Sequence, residues 1–248
     1  SIWPKYLSGI FAVLLAALSG YNASIWGNEE KSATAWYMKH PSSTRAIQNL
    51  ATFYQSKNNY DAAAGTIISG YKNNPLDGAL ASNALISMCF DTPTTQQNLH
   101  IPNMVVSDAR HLHYSPVVTI TLHNQITLFS QNKCGEFKPK LFLSIVDGLL
   151  GNRAYQNPIN QYGLLMAMAR IYQLQGNNQE AITKKIEAFL VQPNIFAAHT
   201  IVTELLEGGK EIEVLNFIKQ ARQVAPIYNK QYDEWEKSVL SSQLIFKR

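Results

Sequence analysis

Charged side chains are scarce in this sequence of 248 residues. Asp, Glu, Lys and Arg together make up 15% of it, whereas roughly 25% is usual in a soluble domain. The formal net charge is only +4, and no cationic run is longer than Lys184-Lys185. Because nucleic-acid binding requires a basic patch or stripe, we expect no nucleic-acid partner.

Signatures of catalysis and of cofactor binding are also missing. The sequence has no Gly-rich phosphate loop and no serine or cysteine in a nucleophile-elbow context. His111 and His113 could place two imidazoles on one side of an extended segment, but no third ligand stands at a familiar metal spacing. We therefore predict no catalytic residue, no metal site and no cofactor for this chain alone. An enzyme that uses the irregular segment 91–115 stays open as an alternative.

Cysteine occurs only twice, as Cys89 and Cys134. Cys89 closes an apolar helical pattern, and Cys134 lies in a polar turn. A disulfide between them would tie two helical hairpins together and close a loop of about 45 residues, which stabilises a fold by roughly 3–4 kcal/mol. Such bonds persist in oxidising compartments, so the pair favours an exported location. Two free thiols are the alternative.

A long apolar stretch occurs at the N-terminus. Between Pro4 and Tyr21 the only charged residue is Lys5, and aromatic residues flank the stretch. About 18 such residues just suffice to cross a bilayer as a helix, and aromatic rings fit its two interfaces. We predict a membrane helix through residues 4–21 with its N-terminal side in the cytoplasm. A cleaved signal peptide and a buried helix of a soluble protein are the alternatives.

A pattern with the spacing of a helical repeat follows. Pro41 and Pro75 bracket a segment with the 34-residue period of tetratricopeptide repeats. Small and large apolar residues alternate within it as two antiparallel helices require, and Asn58-Asn59 provides the turn. The residues at the repeat positions are Leu50, Ala51, Tyr54, Ala63, Ile67 and Gly70.

Further copies of this pattern occur towards the C-terminus. A second copy ends at Pro193, with Gly176-Asn177-Asn178 as its turn and Lys185 as a mismatch, and a degenerate third copy ends at Pro226. One helical hairpin cannot bury its own apolar face, so neighbouring hairpins are expected to stack.

The predicted fold class is therefore all-α: a tetratricopeptide-like solenoid of helical hairpins with an N-terminal apolar helix. Six segments divide the chain. They are a membrane helix at 1–22, an aromatic linker helix at 23–41, the first repeats at 42–90, an irregular loop at 91–115, a helical hairpin at 116–156, and C-terminal repeats with a capping helix at 157–248.

The concave face of such a stack is the expected binding surface. Inner helices of this repeat class point their non-core side chains into a groove, where hydrogen-bonding groups would suit a protein, an extended peptide or a glycan. Simple solvation of these side chains is the alternative. The predicted groove residues are Arg45, Gln48, Asn49, Thr52, Gln55, Arg170, Gln173, Thr200 and Glu204.

The stretch from Trp26 to Tyr54 carries a family resemblance. A tryptophan is followed by His40-Pro41-Ser42-Ser43-Thr44-Arg45-Ala46 and by Asn49-Leu50-Ala51. This arrangement resembles the junction in bacterial multi-pass membrane glycosyltransferases related to transmembrane O-mannosyltransferases, where the last membrane helix leads into exported tetratricopeptide repeats. The multi-pass catalytic part of that family is absent from these 248 residues, so no catalytic residue carries over.

The resemblance implies a bacterial inner-membrane protein whose repeats lie in the periplasm and present an acceptor protein or position a partner. We therefore expect a non-catalytic protein–protein interaction scaffold, in keeping with a membrane glycosylation system. A signal-peptide-bearing soluble adaptor for envelope or pilus assembly is the alternative of a different class.

Overall fold

The computed structural model describes residues 3–134, 138–224 and 229–246, and it confirms the predicted all-α class. These residues form fourteen α-helices and a short 3-10 helix at Arg153–Tyr155, without any β-strand. The α-helices are α1 Trp3–Trp26, α2 Glu29–Lys39, α3 Thr44–Ser56, α4 Tyr60–Asn73, α5 Gly78–Ser87, α6 Pro93–Gln97, α7 Ile101–Asp108, α8 Val117–Ser130, α9 Pro139–Leu150, α10 Pro158–Leu174, α11 Asn178–Val191, α12 Ile195–Glu207, α13 Glu211–Val224 and α14 Asn229–Phe246.

Helix α1 is long and apolar enough to cross a membrane. Its stretch Gly9–Trp26 has a mean hydropathy of 1.5, and none of it is buried. The structure thus does not show the buried soluble helix that was one alternative. The helix ends at Trp26, and Asn28 caps α2 by accepting a hydrogen bond from the Lys31 N–H. The predicted linker helix 23–41 is therefore divided between two helices.

One turn geometry recurs after α3, α8, α10 and α12. In each case a residue in the left-handed conformation donates its N–H to the carbonyl of the residue three positions before it. The residue that follows donates its own N–H to the carbonyl five positions before itself. This is the Schellman motif, which satisfies the free carbonyls at a helix end. The turns expected at 57–59 and 176–178 are two of the four. The left-handed residues are Asn58, Asn132, Gly176 and Gly209.

Most helices pack against their neighbours in the chain, but α8 and α9 of the expected hairpin at 116–156 do not pack mainly against each other: α8 packs on α5 and α10, and α9 packs on α7 and α10. Contacts between elements further apart join α5 to α8, α8 to α10, α4 to α6 and α7 to α9. One apolar core extends from Ile47 in α3 to Ile171 in α10. A second core extends from Ile182 in α11 to Val239 in α14. Pro226, the expected end of the third repeat, lies outside the described residues.

Residues 91–115 differ from the irregular loop expected there, because they contain α6 and α7. Pro93 and Pro102 suggested helix breakers, yet each stands in the first turn of a helix, where a missing N–H costs nothing. The Thr94 N–H donates to the Asp61 carboxylate at 2.8 Å. This bond fixes the start of α6 against α4.

A disulfide joins Cys89, just after α5, to Cys134, just after α8. Both cysteines are buried, at 5% and 3% exposure. Cys134 therefore does not lie in the exposed turn that its polar sequence neighbours suggested. The bond links the ends of two helices that already pack against each other.

Helices α3, α5, α8 and α10 all begin at the same end of the structure. The Thr44 hydroxyl, at the start of α3, hydrogen-bonds Asp77, the N-cap of α5. The Tyr155 hydroxyl, just before α10, accepts from the Ser115 N–H and donates to the His113 carbonyl, just before α8. These four helices consequently run parallel to one another.

The junction between α1 and α2 lies at the opposite end. Helices α2 and α3 are joined by only four residues and pack through Ala33, Leu50 and Phe53. They are therefore antiparallel, so the start of α2 is level with the end of α3. That end also carries the C-termini of α5 and α8.

Candidate binding site

The predicted groove residues are mostly exposed, but they lie on three separate helices. Of the five in α3, only Gln48 is half-buried, and Arg170, Gln173 and Thr200 are exposed in α10 and α12. Helix α3 packs mainly against α2 and α4, whereas α10 packs against α8, α9 and α11. Neither Arg45 nor Arg170 lines either of the two clefts described below.

Glu204 has a different role from the one expected. Its carboxylate lies 2.5 Å from the Lys185 ammonium, and the Lys185 side chain is 8% exposed. The pair explains how a lysine occupies a repeat position that should be apolar, because a buried ammonium needs a counter-charge. Glu204 is thus committed to an ion pair between α11 and α12 and is not a free groove residue.

Gln55 is the predicted residue that does line a cleft. This surface cleft has a volume of about 590 Å³ and lies at the C-terminal end of α3, α5 and α8. We call it the uncharged cleft, because the seven described residues that line it carry no charge. They are Gln55, Tyr60, Ile86, Phe90, Asn124, Thr127 and Leu128.

Two aromatic rings stack on each other in the uncharged cleft. The rings of Tyr60 and Phe90 stack with their centroids 5.3 Å apart and an interplanar angle of 18°. Tyr60 is the first residue of α4, directly after the Schellman turn, and Phe90 follows the disulfide cysteine Cys89. Both backbones are therefore fixed by local structure. Sequence reasoning missed this pair, because the two residues are far apart in the chain and meet only when α4 and α5 pack.

Hydrogen-bonding groups surround these rings. The amides of Gln55 and Asn124 can both donate and accept, and Asn124 and Thr127 are exposed. Ile86 and Leu128 add apolar surface. A cleft with this lining suits a neutral ligand that has both apolar and amide or hydroxyl groups.

A second cleft, of about 580 Å³, lies between α7, α9 and α10, and we call it the charged cleft. Ser107 and Arg110 from the segment 91–115 meet residues of α9 and α10 there. Two polar residues of the segment 91–115 thus line a pocket together with polar residues of α9. The lining residues are Val106, Ser107, Arg110, Lys140, Leu143, Ser144, Asp147, Gly148, Met168 and Tyr172.

The hydroxyl groups of the charged cleft are not arranged as nucleophiles. Ser107 donates to the Met104 carbonyl at 2.8 Å, and Ser144 donates to the Lys140 carbonyl at 3.1 Å. No histidine is among the described residues that line the cleft, so neither hydroxyl has an imidazole base beside it. The geometry accordingly favours binding over nucleophilic catalysis.

Shifted pKa values occur at structural hydrogen bonds outside both clefts. Burial, with the neighbouring Asp108 carboxylate, raises the pKa of Tyr71. Burial also raises the pKa of Tyr155 to about 12. The hydrogen bond from the Thr94 N–H lowers the pKa of the Asp61 carboxyl. Shifted groups often mark active sites, but these three stabilise local folds.

Known proteins offer no guide to these surfaces. No protein-family model matches the chain, and no curated protein matches it. Its function has to be argued from the clefts and from the apolar helix α1.

Proposed function

We propose that this protein is a membrane-tethered interaction scaffold that holds an extended, uncharged polypeptide segment in the uncharged cleft. The observation that carries the proposal is the lining of this cleft, which combines stacked aromatic rings, amide groups and no charge. The chain is proposed to act outside the cytoplasm, on the periplasmic side of a bacterial inner membrane.

A tetratricopeptide-like solenoid is the architecture we infer for the scaffold. The Schellman turn recurs after α3, α8, α10 and α12, and Gly176 and Gly209 are 33 residues apart, close to the period of this repeat class. Helices α3, α5, α8 and α10 support the same inference, because they begin at one end of the structure and because α5 packs on α8 and α8 packs on α10. In a solenoid the inner helices of successive hairpins line the concave surface.

Tethering through α1 would place the uncharged cleft near the membrane. Trp26, the last residue of α1, is separated from α2 by only two residues. The start of α2 is level with Gln55 at the end of α3, where the cleft lies. The Cys89–Cys134 disulfide supports an oxidising compartment. A cleaved signal peptide at α1 would give a soluble adaptor with the same cleft.

A polypeptide is the preferred occupant, because its chemistry matches the lining group by group. Amide side chains can pair with both the N–H and the C=O of an extended backbone. The Tyr60 and Phe90 rings, with Ile86 and Leu128, can accept an apolar side chain of the bound segment. A charged segment would lose hydration without gaining a counter-charge.

Site-specific crosslinking in intact cells tests the proposal. A photoreactive residue at Thr127 should capture one dominant protein, whereas the same residue at the exposed position Thr200 of α12 serves as the control. Asn124→Arg should abolish capture from position 127, because it introduces an unpaired charge into the cleft. Mass spectrometry of the crosslink should identify an uncharged segment of the partner.

Three results would refute the proposal: no capture at 127, equal capture in the Asn124→Arg variant, or a crosslink to a glycan in place of a polypeptide. Mass spectrometry of the mature N-terminus distinguishes a tethered protein from a soluble adaptor. Retention of α1 with membrane extraction only by detergent supports the tether.

A further inference from the structure

Exposed apolar side chains cluster at the end of the molecule opposite the uncharged cleft, where α5, α8 and α10 begin. Tyr114 is 51% exposed, Val117 38%, Ile120 63% and Ile159 71%. Scattered exposed apolar residues are ordinary, but a contiguous group with a polar margin marks an interaction site. We call this group the Tyr114 platform, and we include in it the exposed Arg110 and Arg153, which lie four residues before Tyr114 and six residues before Ile159 in the chain.

Direct contacts join the segments that carry the platform. The Tyr114 ring packs on the Tyr155 ring with centroids 5.5 Å apart. A Cβ atom at Gly163 of α10 would lie 2.5 Å from Thr119 Cγ2 of α8, so these helices cross at close range. Ile159 lies one turn before this crossing, and Val117 and Ile120 flank Thr119. The four exposed apolar residues therefore lie at the same end of α8 and α10.

Buried hydrogen bonds hold the platform in place. Tyr155 is fully buried, and its hydroxyl bonds both the Ser115 N–H and the His113 carbonyl at 3.1 Å. The His113 N–H donates to the Leu76 carbonyl at 2.7 Å. Backbone on both sides of Tyr114 is thus fixed while its side chain stays exposed. A residue ordered before binding loses less entropy when a partner docks.

The two segments that carry the platform contain arginines and no carboxylates. Arg110 and Arg153 are exposed, and no Asp or Glu occurs at positions 109–123 or 151–163. Asp147 of α9 is exposed and lines the charged cleft together with Arg110. Two further carboxylates are hydrogen-bonded within the fold. Asp77 accepts hydrogen bonds from Thr44 and from the Leu80 N–H, and Asp108 accepts one from the Tyr71 hydroxyl.

We propose that the Tyr114 platform docks a segment of a partner protein that carries both apolar side chains and carboxylates. Tyrosine and arginine are the residue types that most often dominate binding energy at protein interfaces. The apolar side chains of the partner would pack on Tyr114, Ile120 and Ile159. Its carboxylates would pair with Arg110 and Arg153.

A lipid surface is the less suitable occupant. The junction of α1 and α2 lies at the other end of the molecule, so a membrane that held α1 would be distant from the platform. This step rests on the proposed tether. The exposed arginines and the fixed backbone at Tyr114 favour an acidic partner whether or not α1 stays attached.

Binding of labelled peptides to the detergent-solubilised full chain tests the inference. The probes are a Glu/Leu amphipathic helical peptide, a Lys/Leu peptide with the same leucine positions, and a Glu/Ser peptide without apolar anchors. Fluorescence anisotropy should show that the Glu/Leu peptide binds at least about tenfold tighter than the other two. Tyr114→Ala and Arg110→Glu/Arg153→Glu should each weaken it by about tenfold or more.

Lys57→Glu/Lys133→Glu is the matched control, because it reverses two exposed charges at the opposite end of the molecule and should leave the affinity unchanged. Circular dichroism checks that each variant is folded. The inference is overturned if the three peptides bind alike, or if the platform variants bind as well as the control. Two effects of Ile120→Asp would also overturn the inference: loss of self-association of the chain, or loss of its binding to anionic vesicles. The first result would assign the platform to a second copy of the chain, and the second would assign it to a lipid surface.

A failure of this test leaves the uncharged cleft unaffected. The two surfaces share no residue, and the crosslinking at Thr127 uses no residue of the Tyr114 platform. The two proposals therefore succeed or fail separately.

Discussion

Lys185 and Glu204 form an ion pair in which one partner is buried and the other is half-buried. Glu204→Gln should lower the free energy of unfolding by about 2 kcal/mol, because it leaves a buried ammonium without its counter-charge. This value is below the 3–5 kcal/mol typical of fully buried pairs, since Glu204 is partly solvated. Urea denaturation measures the change.

The neighbouring pair Lys184–Glu187 is the matched control, because it lies on the same helix with both groups more exposed. Glu187→Gln should cost less than about 0.5 kcal/mol, as surface pairs do. Replacing the whole buried pair, with Lys185→Met and Glu204→Gln, should recover most of the lost stability. Equal effects of Glu187→Gln and Glu204→Gln would contradict this account.

Tyr155 should make stability depend on pH in the alkaline range. Burial raises its pKa from 10.0 to about 12. The unfolded chain therefore loses this proton at a lower pH than the folded chain does. The stabilisation is fully present below pH 10 and is lost as the pH rises from about 10 to about 12.

In the Tyr155→Phe variant, the free energy of unfolding should fall less steeply between about pH 10 and pH 12 than in wild type. Urea denaturation at a series of pH values measures this slope. Lysines and other tyrosines titrate in the same range, so the informative quantity is the difference between wild type and variant. Tyr71→Phe should also reduce the slope, because burial raises the pKa of Tyr71 as well. Identical slopes in wild type and Tyr155→Phe would disprove the prediction.

Close helix contacts depend on glycine at particular positions. A Cβ atom at Gly148 of α9 would lie 2.6 Å from the Ala109 Cβ, just after α7. Gly148→Ala should therefore destabilise the fold by about 1–3 kcal/mol through overpacking. Adding Ala109→Gly should recover part of that loss in thermal denaturation. The pairing of α7 with α9 would have to be reconsidered if the single variant were neutral.

Helices with regular apolar spacing could be predicted closely from the sequence. Helices α11 and α12 begin directly after Asn177 and Asn194, which cap them, and the apolar pattern of each is uninterrupted. Helices α6 and α7 could not be predicted from the sequence. Pro93 and Pro102 are compatible both with the start and with the end of a helix until the fold is known.

The candidate site was harder to predict than the helices. Gln55 could be anticipated, because its position in α3 follows from helical periodicity. Phe90 and Asn124 could not be anticipated, because the packing of α5 on α8 is what brings them into the same cleft as Gln55. Glu204 was misplaced for the same reason, since its partner Lys185 is on a different helix.

At the scale of the whole molecule, the disulfide is the covalent link that acts over the longest stretch of chain. Cys89 and Cys134 are separated by 45 residues. Replacing both by serine should lower the free energy of unfolding by about 3–4 kcal/mol, because the unfolded chain regains the entropy that the cross-link removed. Urea denaturation of the variant, and of wild type with and without reductant, measures this effect. An unchanged midpoint in the double variant would contradict it.

The parallel arrangement of α3, α5 and α8 fixes how far apart the two proposed surfaces are. Helix α3 has 13 residues, which corresponds to about 20 Å. If α1 anchors the chain, the ligand of the uncharged cleft is held at the bilayer surface. The partner of the Tyr114 platform is then held at a set height above the bilayer. The molecule would then serve as a spacer, and the length of its helices, more than the affinity of either surface, would determine which pairs of molecules it can bridge.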